Sequence, residues 1–107
     1  MEGSQTGFAV IYRFRLAPEA EERFAAAWAR MTELIRDHRG GRGSRLHRGD
    51  DGIFYAYAQW PDRATFEAET ELPAEAAELA EIMRAATIER PPTIYLTPID
   101  DLLVPED

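Results

Sequence analysis

Tyr12 and Trp60 each sit in a run that alternates in the manner of a β-strand. Tyr12 lies within Phe8-Ala9-Val10-Ile11-Tyr12-Arg13-Phe14, and Trp60 closes Phe54-Tyr55-Ala56-Tyr57-Ala58-Gln59-Trp60. At period two, Phe8, Val10, Tyr12 and Phe14 share one face of the first run, and Phe54, Ala56, Ala58 and Trp60 share one face of the second. Trp28 and Met31 recur instead at helical spacing. Two alanines facing a helical stripe remove side-chain bulk, so Tyr12, Trp28, Met31, Phe54, Ala56, Ala58 and Trp60 form the candidate lining of a cavity for a flat aromatic guest. The Tyr12 hydroxyl is the polar group placed to hold an oxygen of such a guest and to stabilise negative charge developing on it. The same residues also describe a packed core in which Tyr12 reaches solvent.

Other chemistries find little support. The chain has no Cys, so thiol nucleophiles, disulfides and thiolate metal sites are excluded. It has no Lys either, which removes Schiff-base chemistry and a P-loop lysine. His38 and His47 are the only histidines and are not clustered, so no metal site is expected. His47 follows the inward Leu46 and should point away from the cavity, while His38 in a helix's last turn suits the negative end of the dipole. Residues 36–48 hold five Arg and one Asp, whereas the whole chain carries a formal charge of −8. That basic stretch could draw an acidic substrate to a pocket mouth, engage a partner's acidic helix, or be solvated. Its glycines follow a helix C-terminus and so do not form a phosphate loop.

The elements that must position these residues are legible from pattern. A first strand is expected over Phe8–Leu16. Pro18 then suits the first helical position, and Phe24, Ala27, Trp28, Met31, Leu34 and Ile35 carry an apolar stripe that ends at Gly40-Gly41. Ser44–Arg48 and Ile53–Trp60 read as a hairpin across Gly49-Asp50-Asp51-Gly52. Pro61 opens a second helical segment, Pro73 restarts it, Pro91-Pro92 ends it, and Thr93–Thr97 reads as an edge strand. The order is βαββαβ. It predicts an α+β, ferredoxin-like domain: a four-stranded antiparallel sheet with helices on one face. The bare face, carrying Ile11, Ile53, Tyr55 and Tyr57, invites a second copy and predicts a homodimer through the sheet face.

Length allows a single domain over residues 8–107, with a flexible arm at 1–7 and a C-terminal tail from about residue 99 that places Leu102, Leu103 and Val104 between acidic pairs. No unbroken apolar stretch is longer than Phe24–Ala29, far shorter than the ~20 residues of a membrane span, so no membrane partner is expected. The acidic balance argues against nucleic acid. The start lacks the pattern of a signal peptide, so a cytoplasmic location is the expectation.

The stretch Gly43-Ser44-Arg45-Leu46-His47-Arg48, with Gly52 through Phe66, resembles the antibiotic biosynthesis monooxygenase domains of the dimeric α/β-barrel superfamily. Trp28, Gly40-Gly41, Leu46, Trp60 and Phe66 match that pattern in order. The resemblance implies a dimeric α/β barrel and a cofactor-independent monooxygenase that oxidises a phenolic, quinol or anthrone-like aromatic with dioxygen, with Tyr12 and Trp60 as the catalytic pair and no cofactor. A non-catalytic dimer binding an aromatic small molecule is the alternative, and haem binding or degradation a third. The haem-degrading members use an Asn that falls on Tyr12 here and a His after Trp60. This chain has neither.

Overall fold

A computed structural model describes residues 7–103. Residues 1–6 of the expected arm and 104–107 of the expected tail, Val104 included, lie outside the described residues. β1 (Phe8–Leu16) carries the expected alternation, with Phe8, Val10, Phe14 and Leu16 buried. Pro18 opens a 3-10 turn over Pro18–Ala20, and α1 (Glu21–Arg39) follows. The proline's missing N–H costs nothing in a first turn. Gly40 ends α1 in the left-handed region at φ 81°, and its N–H closes back on the Ile35 carbonyl, a conformation glycine adopts without strain.

β2 (Ser44–Arg48) and β3 (Phe54–Trp60) form the expected hairpin. α2 (Arg63–Ala68) is capped by Asp62, whose carboxylate accepts the Thr65 N–H at 2.7 Å. α3 (Glu75–Ala86) packs along α1, and Arg30 on α1 grips Glu75 with two hydrogen bonds of 2.8 and 2.9 Å. The pair is exposed and fixes orientation more than it adds stability.

The sheet order is β2-β3-β1-β4, all antiparallel, with helices on one face, as the ferredoxin-like reading requires. The sheet has five strands rather than four. β4 (Thr87–Glu89) pairs with β1 at Arg15 and Leu16, and β5 (Ile94–Leu96) pairs with β1 at Ala9, Val10 and Ile11. Pro91-Pro92 between them cannot donate to a ladder, so one edge is divided into two short strands. The sheet of one chain is open, not closed into a barrel. Among the described residues no helix is long and apolar enough to cross a membrane.

The core falls into two clusters. One gathers Phe14, Leu16, Ala20, Phe24, Phe54, Ala56 and Ala86; the other gathers Phe8, Val10 and Trp60. Tyr12 packs against both. Phe14 meets Phe24 edge-on at 4.9 Å between ring centroids. Full burial of each such ring stabilises the fold by roughly 1.5–3 kcal/mol.

Candidate functional site

The core is divided because a cavity of about 710 Å³ lies between the sheet and the helices. That volume is within the ~300–1,000 Å³ of small-molecule sites. Sheet register builds its floor. Ala56 and Tyr12 lie opposite each other in one cross-strand row, and Ser44 and Ala58 in the next. Trp60, opposite Phe8, closes one end of the floor. Trp28, Met31, Thr32 and Ile35 of α1 form the roof, and Met83 of α3 with Leu72 before it forms a wall. Gly41 allows the loop after α1 to approach: a Cβ there would stand 3.0 Å from Ile35 Cγ2 and 3.5 Å from Trp60 Cη2.

Of the residues singled out from sequence, Tyr12, Trp28, Met31, Ala56, Ala58 and Trp60 all line this cavity. Phe54 does not. It shares their face of β3 but lies at the other end of the strand, opposite Phe14, where it packs into the first core cluster under the Arg48 guanidinium. Strand parity identified its face but not how far along the strand the cavity extends.

Several lining residues were not anticipated. Ile35 and Met83 sat on recognised apolar stripes, so periodicity could have found them. Arg90 gave no signal, because its place depends on the divided edge strand. Its guanidinium lies 5.6 Å from the Tyr12 ring centroid and 4.9 Å from that of Phe14. Arg39, Arg84 and Glu89 complete the ionisable rim.

Two polar groups of lining residues are buried without a hydrogen-bond partner among the described residues: the Trp60 indole N–H and the Ser44 hydroxyl. Trp60 is only 6% exposed. An unmade hydrogen bond at such a donor costs about 1–3 kcal/mol, so a ligand acceptor there would be favoured. The Tyr12 hydroxyl is pushed above the usual tyrosine range, chiefly by burial and further by the nearby Tyr95, against the opposing pull of Arg90 and Arg39. It therefore stays a proton donor at neutral pH.

The basic stretch is distributed rather than concentrated. Arg39 lines the cavity and donates to the Thr70 carbonyl at 2.5 Å, whereas Arg48 pairs with Glu21 at 3.1 Å. Neither histidine lines the cavity; His47 Nδ1 lies 3.2 Å from the Tyr55 carbonyl, and His38 is exposed on α1. Among the described residues no three His, Asp or Glu side chains are grouped as a metal would require.

An open antiparallel sheet, helices on one face and an apolar cavity between them define a ferredoxin-like α+β domain. The chain belongs to the antibiotic biosynthesis monooxygenase family, whose model matches residues 7–77. No curated protein matches the sequence. Solved structures share the fold. SnoaB, a cofactor-independent oxygenase from Streptomyces nogalater, is 21% identical with a TM-score of 0.69, over 90% of this chain and 96% of that one. Rv0793 from Mycobacterium tuberculosis is 20% identical with a TM-score of 0.69, over 91% and 99%. NE2512 from Nitrosomonas europaea, a protein of unknown function, is 18% identical with a TM-score of 0.69, over 97% and 100%.

Proposed function

We propose that this protein is a cofactor-independent monooxygenase that oxidises a phenolic, quinol or anthrone-like aromatic with dioxygen, as a homodimer closed through the outer sheet face. The observation that carries the reading is the cavity itself: apolar, of small-molecule size, floored by two alanines, closed at one end by Trp60 and roofed in part by Trp28. Family membership and the fold shared with SnoaB support it.

In the reaction proposed, an anthrone-type methylene is deprotonated and its carbanion passes electrons to dioxygen. Carbon–oxygen bond formation and protonation then give a hydroperoxide, which eliminates water: one oxygen atom stays on the substrate as a carbonyl and the other departs in the water. Trp60 and Trp28 stack the ring system, and Tyr12 donates a hydrogen bond to the oxygen on which charge develops.

A second reading rests on a specific observation. The ionisable residues lining the cavity are Tyr12, three arginines and Glu89, and Glu89 is already held by Arg15 at 3.2 Å. A site with no free carboxylate or imidazole favours a protein that binds an aromatic without turning it over. Dioxygen uptake by metal-free protein with a panel of hydroquinones and anthrones, beside Trp60→Phe, separates the two. Protein-dependent uptake that falls in the variant supports the oxygenase and the cavity as its site. Uptake no faster than autoxidation across the panel, with binding retained, would leave the binding reading.

A further inference from the structure

Resting on the oxygenase reading, which places a hydroperoxide in the cavity, we propose that Trp60 and Tyr95 form an escape route for oxidising equivalents, carrying an electron hole from the cavity to the protein surface. Three observations carry this. First, aromatic rings are continuous from one residue to the other. Trp60 meets Phe66 edge-on at 5.4 Å between centroids, and Phe66 stands 5.9 Å from Tyr95. Phe8, opposite Trp60 in the sheet, lies 5.5 Å from Phe66 and stacks on Tyr95 at 6.4 Å. Tyr95 is opposite Val10 on β5 and so shares the face of Phe8 and Trp60. Two ring-to-ring contacts thus span the whole path by which an electron would pass.

Second, the two ends differ in a way that sets the direction. Trp60 is 6% exposed and its indole N–H has no partner among the described residues, whereas Tyr95 is 51% exposed. An oxidised indole with no acceptor for its proton stays a radical cation, and a charge in apolar surroundings is costly. A phenol at the surface loses its proton to water on oxidation and becomes a neutral radical. The Arg63 guanidinium, 5.8 Å from the Tyr95 ring centroid, works against a lasting cation there and favours that proton loss. Third, Tyr12 packs against the same cluster but is a poor competitor, because its burial holds the phenolic proton in place. Homolysis of the hydroperoxide O–O bond gives oxygen-centred radicals. Such a radical takes one electron from the Trp60 indole and one proton from solvent, and becomes an alcohol or water. Trp60 regains its electron from Tyr95, whose proton passes to solvent, leaving a neutral tyrosyl radical. A small-molecule thiol then returns a hydrogen atom to Tyr95. The lining of the cavity is spared, and the radical ends where a soluble reductant reaches it.

Pulse radiolysis of full-length Trp28→Phe protein tests the transfer with no substrate present, so its result is separate from that of the dioxygen-uptake assay. Azide radicals oxidise the remaining tryptophan, and the tryptophanyl absorption should decay as tyrosyl absorption grows. Adding Tyr95→Phe, which keeps the ring and its packing, should abolish that growth; adding Tyr12→Phe should leave it intact. Under a steady dose of the same radicals, peptide mass spectrometry should find oxidation at Tyr95 in the parent and at Trp60 in the Tyr95→Phe protein. No tyrosyl growth in the parent, growth that persists in Tyr95→Phe, or equal damage to Trp60 in both proteins overturns the proposal and leaves the oxygenase reading standing. Transfer along this path without any protein-dependent dioxygen uptake would instead overturn the oxygenase reading, and with it the source of the oxidant.

Discussion

At the scale of single residues, Tyr12 shows how far a sequence pattern reaches. Period two placed it on the cavity face, and the structure sets it where two core clusters meet. Its raised proton affinity, by contrast, comes from burial under α1 and from Tyr95 on β5, which no local pattern announces. Two consequences follow from that hydroxyl. Losing one donor to developing charge should slow dioxygen uptake in Tyr12→Phe by about tenfold to a hundredfold, with little change in affinity for an aromatic that carries no charge. The second concerns alkaline stability. The folded state holds the Tyr12 proton above the ordinary tyrosine value near 10, so its contribution is complete below that pH and is lost as pH rises through the folded value. Thermal melts across that range should fall more steeply for wild type than for Tyr12→Phe. Tyr55, whose proton is also held by its bond to Asp51, contributes the same background to both proteins. Identical slopes would mean that Tyr12 titrates as an exposed phenol.

At the scale of elements, the helices and the hairpin were legible because each carries both a periodic stripe and a punctuating residue. Gly40 ends α1, Pro61 and Pro73 precede α2 and α3, and Gly49 through Gly52 turns the hairpin. The last strand was only partly legible. Pro91-Pro92 marked a break, but whether the chain resumes pairing beside the same strand depends on tertiary contacts, and it pairs with β1 on both sides of the prolines. That division brings Arg90 to the cavity rim, which is why the rim was invisible in advance. β3 offers a direct test of whether the space above it is a site or a loosely packed core. Ala58→Leu adds apolar volume on the cavity floor. In a filled core the extra methylenes would cost about 1–3 kcal/mol. Over an open cavity they should leave the melting temperature unchanged or raise it, while binding of hydroquinones and anthrones falls by more than about tenfold, since the added volume takes the ligand's place. A lower melting temperature with unchanged binding would return β3 to ordinary packing.

At the scale of the molecule, the outer sheet face is as continuous as the inner one. Register sets Ile94, Ile11 and Tyr57 in one row across β5, β1 and β3, with Leu96 beside Ala9 in the next. Ile94 and Leu96 are 36% and 41% exposed, and Ile99, Leu102 and Leu103 beyond them are 98%, 86% and 81% exposed. A chain of 107 residues buries only about two-thirds of its unfolded surface, so apolar area left open on this scale is a substantial loss that a second copy would recover. The sequence pointed to this face through Ile11, Ile53, Tyr55 and Tyr57; Ile53 is instead buried, at the strand's end beside the hairpin turn, and the contribution of Ile94 and Leu96 became visible only with the pairing of β5. Ile11 is at the centre of the row, where an arginine would place a charge in the middle of the proposed apolar interface. The wild type should therefore sediment at twice 12.1 kDa, and Ile11→Arg as a monomer that melts at lower temperature. A monomeric wild type at micromolar concentration, or an Ile11→Arg protein that still pairs, would rule out this face as the interface. The cavity gives the experiment a second readout. Its lining comes from one chain and lies on the opposite side of the sheet, so folded Ile11→Arg monomer should still bind hydroquinones and anthrones. Loss of binding on dissociation would instead show that the partner helps to hold the site in shape.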